Sequence, residues 1–150
     1  MIKGNKFQQF LNKVIMAIDY GPKRVGFSVF TPGRDPFPLL LEQKTIKSTD
    51  ELLGLVKQYI MQESVEVLVL GLPYLLDGKE TDMTRHIQKI GEQIQAHIPD
   101  LPLHYQDETL SSFEAEDRMK NSPAYNFKID KSRLDSLAAS IILEDFLRDD

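Results

Sequence analysis

Hydrophobic residues fall into two kinds of pattern along the chain. Residues 14–18 and 67–72 are nearly unbroken apolar runs, which are typical of strands buried on both faces of a sheet. Apolar side chains spaced three and four positions apart predict helices over residues 52–59, 83–94 and 134–142. Buried strands that alternate with amphipathic helices indicate an α/β domain.

Turn residues divide the rest of the chain into further elements. Gly21 and Pro22 end the first strand and predict a hairpin to a second strand over residues 24–30. Further strands are expected over residues 39–46, 66–70 and 101–106. The element order is then β-β-β-α-β-α-β-α-α. This order predicts a five-stranded mixed sheet flanked by helices, as in the RNase H-like fold.

Two helices are expected to begin at capping boxes, and a third segment of the same pattern opens the last helix, where the capping box is an alternative role for its acid. In a capping box, a serine and an acidic residue three positions later bond to each other's backbone. The three candidate segments are residues 48–51, 111–114 and 132–135. The last of them follows a stretch over residues 122–130 that is expected to be a loop.

The composition is that of one globular domain. The 150 residues include 41% hydrophobic and 27% charged residues, and no internal repeat divides them. We therefore expect a single domain over residues 1–150, with residues 1–13 as an N-terminal extension. Phe7, Phe10 and Leu11 could give that extension a short amphipathic helix, or the extension could fray.

Neither a membrane segment nor a disulfide framework is expected. The apolar runs have the length of strands and are too short to span a bilayer, and the N-terminus lacks the apolar block of a signal peptide. The absence of cysteine excludes disulfides and thiolate metal sites. A cytoplasmic protein without a membrane partner is the expectation.

The net charge of −5 argues mildly against a protein that coats nucleic acid nonspecifically, because phosphate binding needs cations. An enzyme can nevertheless be acidic if its cations cluster and its carboxylates hold metal ions. Lys23 and Arg24 form one basic pair. A second basic group lies shortly before Asp135 and comprises Lys120, Lys128, Lys131 and Arg133. For each of these cations, an ordinary exposed position is the alternative to a phosphate contact.

Three acidic residues, Asp19, Glu108 and Asp135, lie at the ends of predicted elements. Asp19 ends the first strand, and ligands of open α/β sheets bind at the carboxyl ends of strands. Asp107 and Glu108 are neighbours after the fifth strand, so only one of them is expected to face the site. Spacing alone leaves structural roles open: Asp19 could cap a turn, and Asp135 could be the acidic half of a capping box.

Grouped carboxylates of this kind would suit phosphodiester hydrolysis. Mg²⁺ prefers oxygen ligands and usually takes one or two protein carboxylates together with water and phosphate oxygens. Two such ions can activate the attacking water and stabilise the leaving oxygen. Carboxylates that cluster without a metal ion repel one another.

Four motifs in this order are similar to those of the YqgF/RuvX family. They comprise an apolar run ending in Asp-x-Gly-x-Lys-x-x-Gly, a Gly-Leu-Pro-x-x-x-Asp-Gly segment, an Asp-Glu-x-x-Ser-Ser segment and an Asp-x-x-Ala-Ala-x-x-Ile-Leu helix. The motifs occupy residues 15–26, 71–78, 107–112 and 135–143. Each motif is weak alone, but four in the right order make a specific signal.

The resemblance implies an RNase H-like nuclease related to Holliday junction resolvases and involved in maturing the precursor of 16S ribosomal RNA. Its catalytic and metal-binding acids would be Asp19, Glu108 and Asp135, with Asp107 the weaker candidate. The implied cofactor is Mg²⁺ or Mn²⁺. The implied partner is structured RNA or branched DNA, bound by a monomer or a homodimer. Our candidate substrate-binding residues are Lys23, Arg24, Gly71, Lys79, Lys128 and Lys131.

Thr109 departs from the family pattern, which usually has arginine at this position. A guanidinium can bind a phosphate with two hydrogen bonds, and a threonine side chain cannot. The departure concerns phosphate binding more than metal binding.

Two other classes of protein fit parts of the sequence. One is a non-catalytic nucleic-acid-binding module with the same fold, although the retention of all three acids favours the enzyme. The other is one half of an actin-like ATPase or sugar kinase, because residues 19–21 followed by a hairpin resemble a phosphate-binding loop. Such proteins need two domains around the nucleotide.

Overall fold

The computed structural model describes residues 5–148 and contains five strands and five helices within that range. The strands are β1 (Ile15–Tyr20), β2 (Val25–Phe30), β3 (Leu39–Leu40), β4 (Val67–Leu72) and β5 (Leu103–Asp107). The helices are α1 (Asn5–Gln9), α2 (Thr49–Glu63), α3 (Asp82–His97), α4 (Ser111–Lys120) and α5 (Leu134–Arg148). A short 3₁₀ turn, Pro123–Tyr125, lies in the loop before α5.

The strands form one mixed sheet in the order β3-β2-β1-β4-β5. β1 pairs antiparallel with β2 and parallel with β4, and β5 continues the parallel half. The predicted RNase H-like α/β fold is therefore confirmed. The parallel half brings the carboxyl ends of β1, β4 and β5 to the same edge of the sheet.

Helices cover both faces of the sheet because the side chains of each strand alternate between them. Met16 and Ile18 of β1 face the core formed with α2 and α3. Ile15 and Ala17 face the core formed with α5. α4 packs on α5 through a smaller cluster that includes Met119 and Ile141. Within residues 5–148, none of the helices combines the length and apolar character needed to cross a membrane.

The third strand is much shorter than the predicted span of residues 39–46. Regular pairing with β2 is limited to Leu39–Leu40, and a separate bridge joins Val25 to Lys44. Ser28 pairs with Leu40 and Val25 with Lys44. Residues 25–28 of β2 therefore face residues 40–44, a segment that is one residue longer. The extra residue is a bulge, which interrupts the edge strand and bends it.

The N-terminal segment contains the expected short helix, but only part of it is described. Phe10 after α1 is buried against α5, and Phe7 packs on the same cluster. Leu11 is exposed. Residues 1–4 of the predicted extension lie outside the described residues.

Candidate active site

The alternation of β1 directs Asp19 to the face of the sheet that α5 covers. Asp19 is two residues from Ala17 and four from Ile15, so the three side chains lie on the same face of the sheet. Only 7% of Asp19 is exposed to solvent. It pairs across the sheet with Gly26 of β2. Asp19 is therefore a buried acid beneath the start of α5.

Glu108 follows β5 and lies over β4, where Gly71 leaves room for it. Gly71 is the fifth residue of β4, so the strand continues past the predicted end at residue 70. A Cβ atom at Gly71 would lie 2.8 Å from the Glu108 carboxyl carbon and 2.5 Å from Ile142 Cδ1. The missing side chain at Gly71 thus creates the space that Glu108 occupies.

Asp19 and Glu108 lie within hydrogen-bonding reach of each other, and each carboxyl group changes the pKa of the other. Burial raises the pKa of Asp19 to about 6, while the bond from Glu108 opposes the rise and the charge of Asp135 adds to it. Burial, then the negative charge of Asp19, raises the pKa of Glu108 to about 10. The two carboxyl groups titrate as a coupled pair, and they share one proton at neutral pH.

Ser111 also binds Glu108, which changes how α4 begins. The Ser111 hydroxyl donates to Glu108 Oε2 at 3.2 Å and to the Glu108 carbonyl oxygen at 3.1 Å. Leu110 occupies the N-cap of α4, and no side chain caps the helix. The predicted capping box over residues 111–114 is wrong because its serine is the first helical residue and its hydroxyl is taken by Glu108.

Asp135 lies in the first turn of α5 and binds Arg24 instead of capping the helix. Arg24 Nε donates to Asp135 Oδ2 at 3.0 Å, and the Asp135 side chain is 21% exposed. Ser132 donates to Asp130. The alternative role of Asp135 in a capping box over residues 132–135 is therefore not seen, because its carboxylate is held by the Arg24 guanidinium from the turn after β1.

Gly26 allows the first turn of α5 to lie directly on β2. A Cβ atom at Gly26 would stand 2.0 Å from the carbonyl oxygen of Asp135 and 2.5 Å from the Ser136 nitrogen. Beside it, the amide N–H of Phe27 donates to Ser136 Oγ at 3.2 Å. The backbone of Asp135 is thus fixed against β2, the strand that pairs with β1 at Asp19.

Gln43, in the bulge beside β3, is a site residue that the sequence did not reveal. Its Oε1 accepts a hydrogen bond from the Asp135 N–H at 3.0 Å, and its Nε2 donates to the Lys131 carbonyl oxygen at 2.7 Å. Gln43 therefore holds both the loop before α5 and the residue that bears the third acid. The sequence carried no signal for this role, since the segment reads as an ordinary strand.

Asp107 and Thr109 form a local turn away from the buried acids. Asp107 Oδ1 accepts hydrogen bonds from the Thr109 N–H at 2.8 Å and from the Thr109 hydroxyl. Asp107 is exposed, whereas Glu108 is buried. Of the two neighbouring acids, only Glu108 reaches Asp19.

The candidate substrate-binding residues divide by exposure. The side chains of four lysines are exposed: Lys23, Lys79, Lys128 and Lys131. Arg24 is partly exposed and forms an ion pair with Asp135. The backbone carbonyl of Lys131 accepts a hydrogen bond from Gln43. Gly71 is buried beneath Glu108. Gly71 thus shapes the acidic site from a buried position.

The three acids are near one another but do not converge as a complete metal-binding cluster. Within residues 5–148, no group of three or more Asp, Glu or His side chains is arranged so that it could hold a metal ion. The physical reason is the ion pair that directs Asp135 to Arg24. Asp19 and Glu108 nevertheless fit a hard divalent cation, because their oxygens share a buried position and repel each other when both are ionised.

The shared proton makes the stability of the metal-free protein depend on pH. An acid whose pKa is raised by folding contributes stability that is complete below its unfolded pKa and is lost as pH rises through its folded pKa. For Glu108 that loss falls between about pH 4.5 and pH 10. With EDTA present, Glu108→Gln is expected to be more stable than wild type at pH 8, and this advantage should shrink toward pH 4.5. Thermal melts over this range check it; an advantage that does not change with pH would contradict a shared proton.

The strand order defines an RNase H-like domain, and the two buried acids Asp19 and Glu108 lie at the carboxyl edge of its parallel strands. A family model described as "RuvX: Holliday junction resolvase" matches residues 13–149. The chain belongs to this family.

Relatives from several bacteria are similar along nearly their whole length, and each is named "Putative pre-16S rRNA nuclease". The protein of Maridesulfovibrio salexigens is 37% identical over 134 residues, which cover 89% of this chain and 96% of the relative. The Synechocystis protein is 33% identical, with 88% and 85% covered. The Bacteroides fragilis protein is 32% identical, with 89% and 94% covered.

Solved structures of resolvases share the fold at low sequence identity. Thermus thermophilus RuvC superposes with a TM-score of 0.57 at 13% identity, covering 89% of this chain and 94% of that one. The fowlpox virus resolvase, solved with Holliday junction DNA, gives a TM-score of 0.53 at 15% identity, with 85% and 91% covered. At these identities the likeness concerns the fold alone.

Proposed function

We propose that this chain is a metal-dependent endonuclease that hydrolyses phosphodiester bonds in structured nucleic acid. The observation that carries the proposal is the buried pair of Asp19 and Glu108 at the carboxyl edge of the parallel strands. Burying two carboxyl groups side by side costs folding free energy, because burial opposes their ionisation. A purely structural role therefore does not account for the pair. A function that requires clustered negative charge accounts for them.

Each acid has a distinct part in the proposed chemistry. Asp19 and Glu108 would hold Mg²⁺ or Mn²⁺, and Ser111 fixes the Glu108 carboxylate. A bound ion would offset the charge of the pair and would supply an activated water for the hydrolysis. Asp135 is the most exposed of the three acids, and its carboxylate would be available to accept a proton from an attacking water if Arg24 bound a phosphate oxygen instead.

The names of the relatives support precursor 16S ribosomal RNA as the substrate class, and the family description supports branched DNA. We favour the RNA because the relatives described above are 32–37% identical and are named for it, whereas the solved resolvases share only the fold at 13–15% identity. We propose that residues 1–150 act as one domain in the cytoplasm, as a monomer or a homodimer. Cleavage of a four-way junction on two strands would require the homodimer, because each strand needs its own acidic site.

A cleavage panel tests the proposal. Purified protein with Mg²⁺ or Mn²⁺ should cut at least one of three substrates: a precursor 16S RNA segment, an unstructured RNA or a four-way DNA junction. Cleavage should stop in EDTA and resume when metal is restored. Tight nucleic-acid binding without any cleavage, together with melts that ignore both metals, would instead support a non-catalytic binding module.

The exposed lysines before α5 give a separate prediction about salt. Lys128 and Lys131 are expected to contact the phosphate backbone, so their joint replacement by Ala should weaken binding to different sequences about equally. The plot of log affinity against log salt concentration should also become less steep, with the magnitude of its slope smaller by about 1 to 2. Lys57 of α2 and Lys89 of α3, on the opposite face of the sheet from α5, provide a matched double-alanine control. An unchanged slope for the Lys128 and Lys131 variant would remove both residues from the interface.

A substitution at Thr109 tests whether the departure from the family pattern affects substrate binding. The Thr109 N–H bond to Asp107 is made by the backbone, so Thr109→Arg keeps it and loses only the hydroxyl contact. The added guanidinium should tighten substrate binding, and its charge-assisted hydrogen bond predicts a gain of about tenfold. Binding assays with Thr109→Ala as control measure this. Weaker binding by the arginine variant would mean that another cation, such as Arg24, already fills the position.

A further inference from the structure

A half-open cavity lies next to the acidic site, between the bulged edge of the sheet and the start of α5. Its volume is about 470 Å³, and Arg24, Gln43, Thr45 and Arg133 are among the residues that line it. Arg24 also binds Asp135, so the cavity begins where the acidic site ends. It lies on the β3 side of Asp135, whereas Asp19 and Glu108 lie over the centre and the β5 side of the sheet.

The lining combines the chemical groups that a nucleotide requires. Arg24 and Arg133 bring two guanidiniums, and Thr45 a hydroxyl. Leu40 contributes apolar surface. The acidic member of the wall, Glu42, is paired with Lys44 at 3.2 Å. The volume falls in the range of roughly 300–1,000 Å³ that is usual for small-molecule sites.

Arg133 is the cation most available to a ligand in this cavity. Its guanidinium stands 5.3 Å from the centre of the Tyr125 ring, a contact that orients it without neutralising its charge. Arg24, in contrast, is engaged by the Asp135 carboxylate. The floor of the cavity is fixed, because Gln43 ties the bulge to the loop before α5.

We propose that this cavity holds one nucleotide of the substrate strand, adjacent to the phosphodiester that is cut. The phosphate of that nucleotide binds Arg133, and its base packs against the apolar wall at Leu40. The proposal rests on the proposed nuclease function, since it treats the bound nucleotide as part of a longer strand. It adds a binding site for the strand on the far side of Asp135 from the acidic pair.

Binding of a free mononucleotide to the full chain tests the proposal without any cleavage. Metal-free ¹⁵N-labelled protein is titrated with cytidine 5′-monophosphate, with adenosine 5′-monophosphate and with inorganic phosphate, each in EDTA. We expect saturable shifts of the Thr45 and Arg133 amide signals with both nucleotides, and weaker binding of phosphate alone. Arg133→Ala should weaken nucleotide binding about tenfold, the size expected for one charge-assisted hydrogen bond.

Arg85→Ala is the matched control, because Arg85 is an exposed arginine on α3, on the opposite face of the sheet. This control should bind nucleotide as wild type does, and unchanged melts show that each variant is folded. The proposal is overturned if no saturable shift occurs at the cavity, if phosphate binds as tightly as a nucleotide, or if both arginine variants lose affinity equally. Because no metal or cleavage is involved, an inactive enzyme that still binds nucleotide would reject only the proposed function.

Discussion

Asp19→Asn is expected to fold normally and to lose essentially all metal-dependent cleavage. Asn has nearly the shape of Asp but carries no charge, so the pair with Glu108 no longer offers two carboxylates to a divalent ion. A metal ion contributes several kcal/mol of transition-state stabilisation. The rate should therefore fall by roughly a thousandfold or more. Single-turnover cleavage of the best substrate in the panel measures the loss.

Asp107→Asn is the matched control. Asp107 is next to Glu108 in sequence, but its side chain is exposed and bound to Thr109. It should keep wild-type activity. Wild-type melts should rise with millimolar Mg²⁺ or Mn²⁺, since ligand binding stabilises the folded state, and Asp19→Asn melts should not. Asp135→Asn is expected to fold and to lose activity as well. Full activity of the Asp19 variant would exclude the acidic pair as the catalytic centre.

Gly26→Ala is expected to cause a large loss of stability although it adds only one methyl group. Its Cβ would stand 2.0 Å from the Asp135 carbonyl oxygen and 2.1 Å from the carbon, and these are backbone atoms that cannot rotate away. The first turn of α5 must therefore shift, at a cost on the order of 3 kcal/mol. Urea unfolding measures the cost, and cleavage should fall because Asp135 moves with the turn.

Gly54→Ala provides the opposite case. Gly54 lies within α2, and a Cβ there would meet nothing within 4 Å. Because alanine favours helix over glycine by up to about 1 kcal/mol, this variant should be slightly more stable than wild type. If the two alanine variants changed stability equally, close packing of α5 on β2 could not be the reason for the glycine at position 26.

The strands and their order followed from the sequence because burial leaves a strong local pattern. Residues 14–18 are apolar at every position, as expected for a central strand covered on both faces. The edge strand was harder to predict. A single inserted residue near Gln43 shifts its register, and neither hydrophobicity nor turn residues mark that insertion.

Capping boxes failed where a tertiary contact competed with the local one. Ser111 and Asp135 have the right residue types and spacing for caps, but Glu108 takes the serine hydroxyl and Arg24 takes the carboxylate. Arg24 and Asp135 are 111 positions apart in sequence, so no local pattern could indicate their contact. In both cases the lost cap lies at the acidic site, where local rules yield to the arrangement of charged groups.

The acids themselves were indicated by motif resemblance and by their positions after strands. The contact between Asp19 and Glu108 agrees with that expectation. The pairing of Asp135 with Arg24 does not follow from the motifs, which name the residues but not their partners. The role of Gly71 was likewise hidden, because a glycine that makes room for a neighbouring acid looks the same in sequence as a glycine in a turn.

The bulge beside β3 also limits how two copies of the chain can associate. An exposed strand edge offers unpaired N–H and C=O groups on which another chain can add a strand. Here the outer strand has two regular residues, its continuation is bent, and Lys44 lies on it. Gln43 uses its amide to tie this edge to α5. Continuous sheet formation between copies is therefore disfavoured along this side, which protects against edge-to-edge aggregation and directs any homodimer to a different surface.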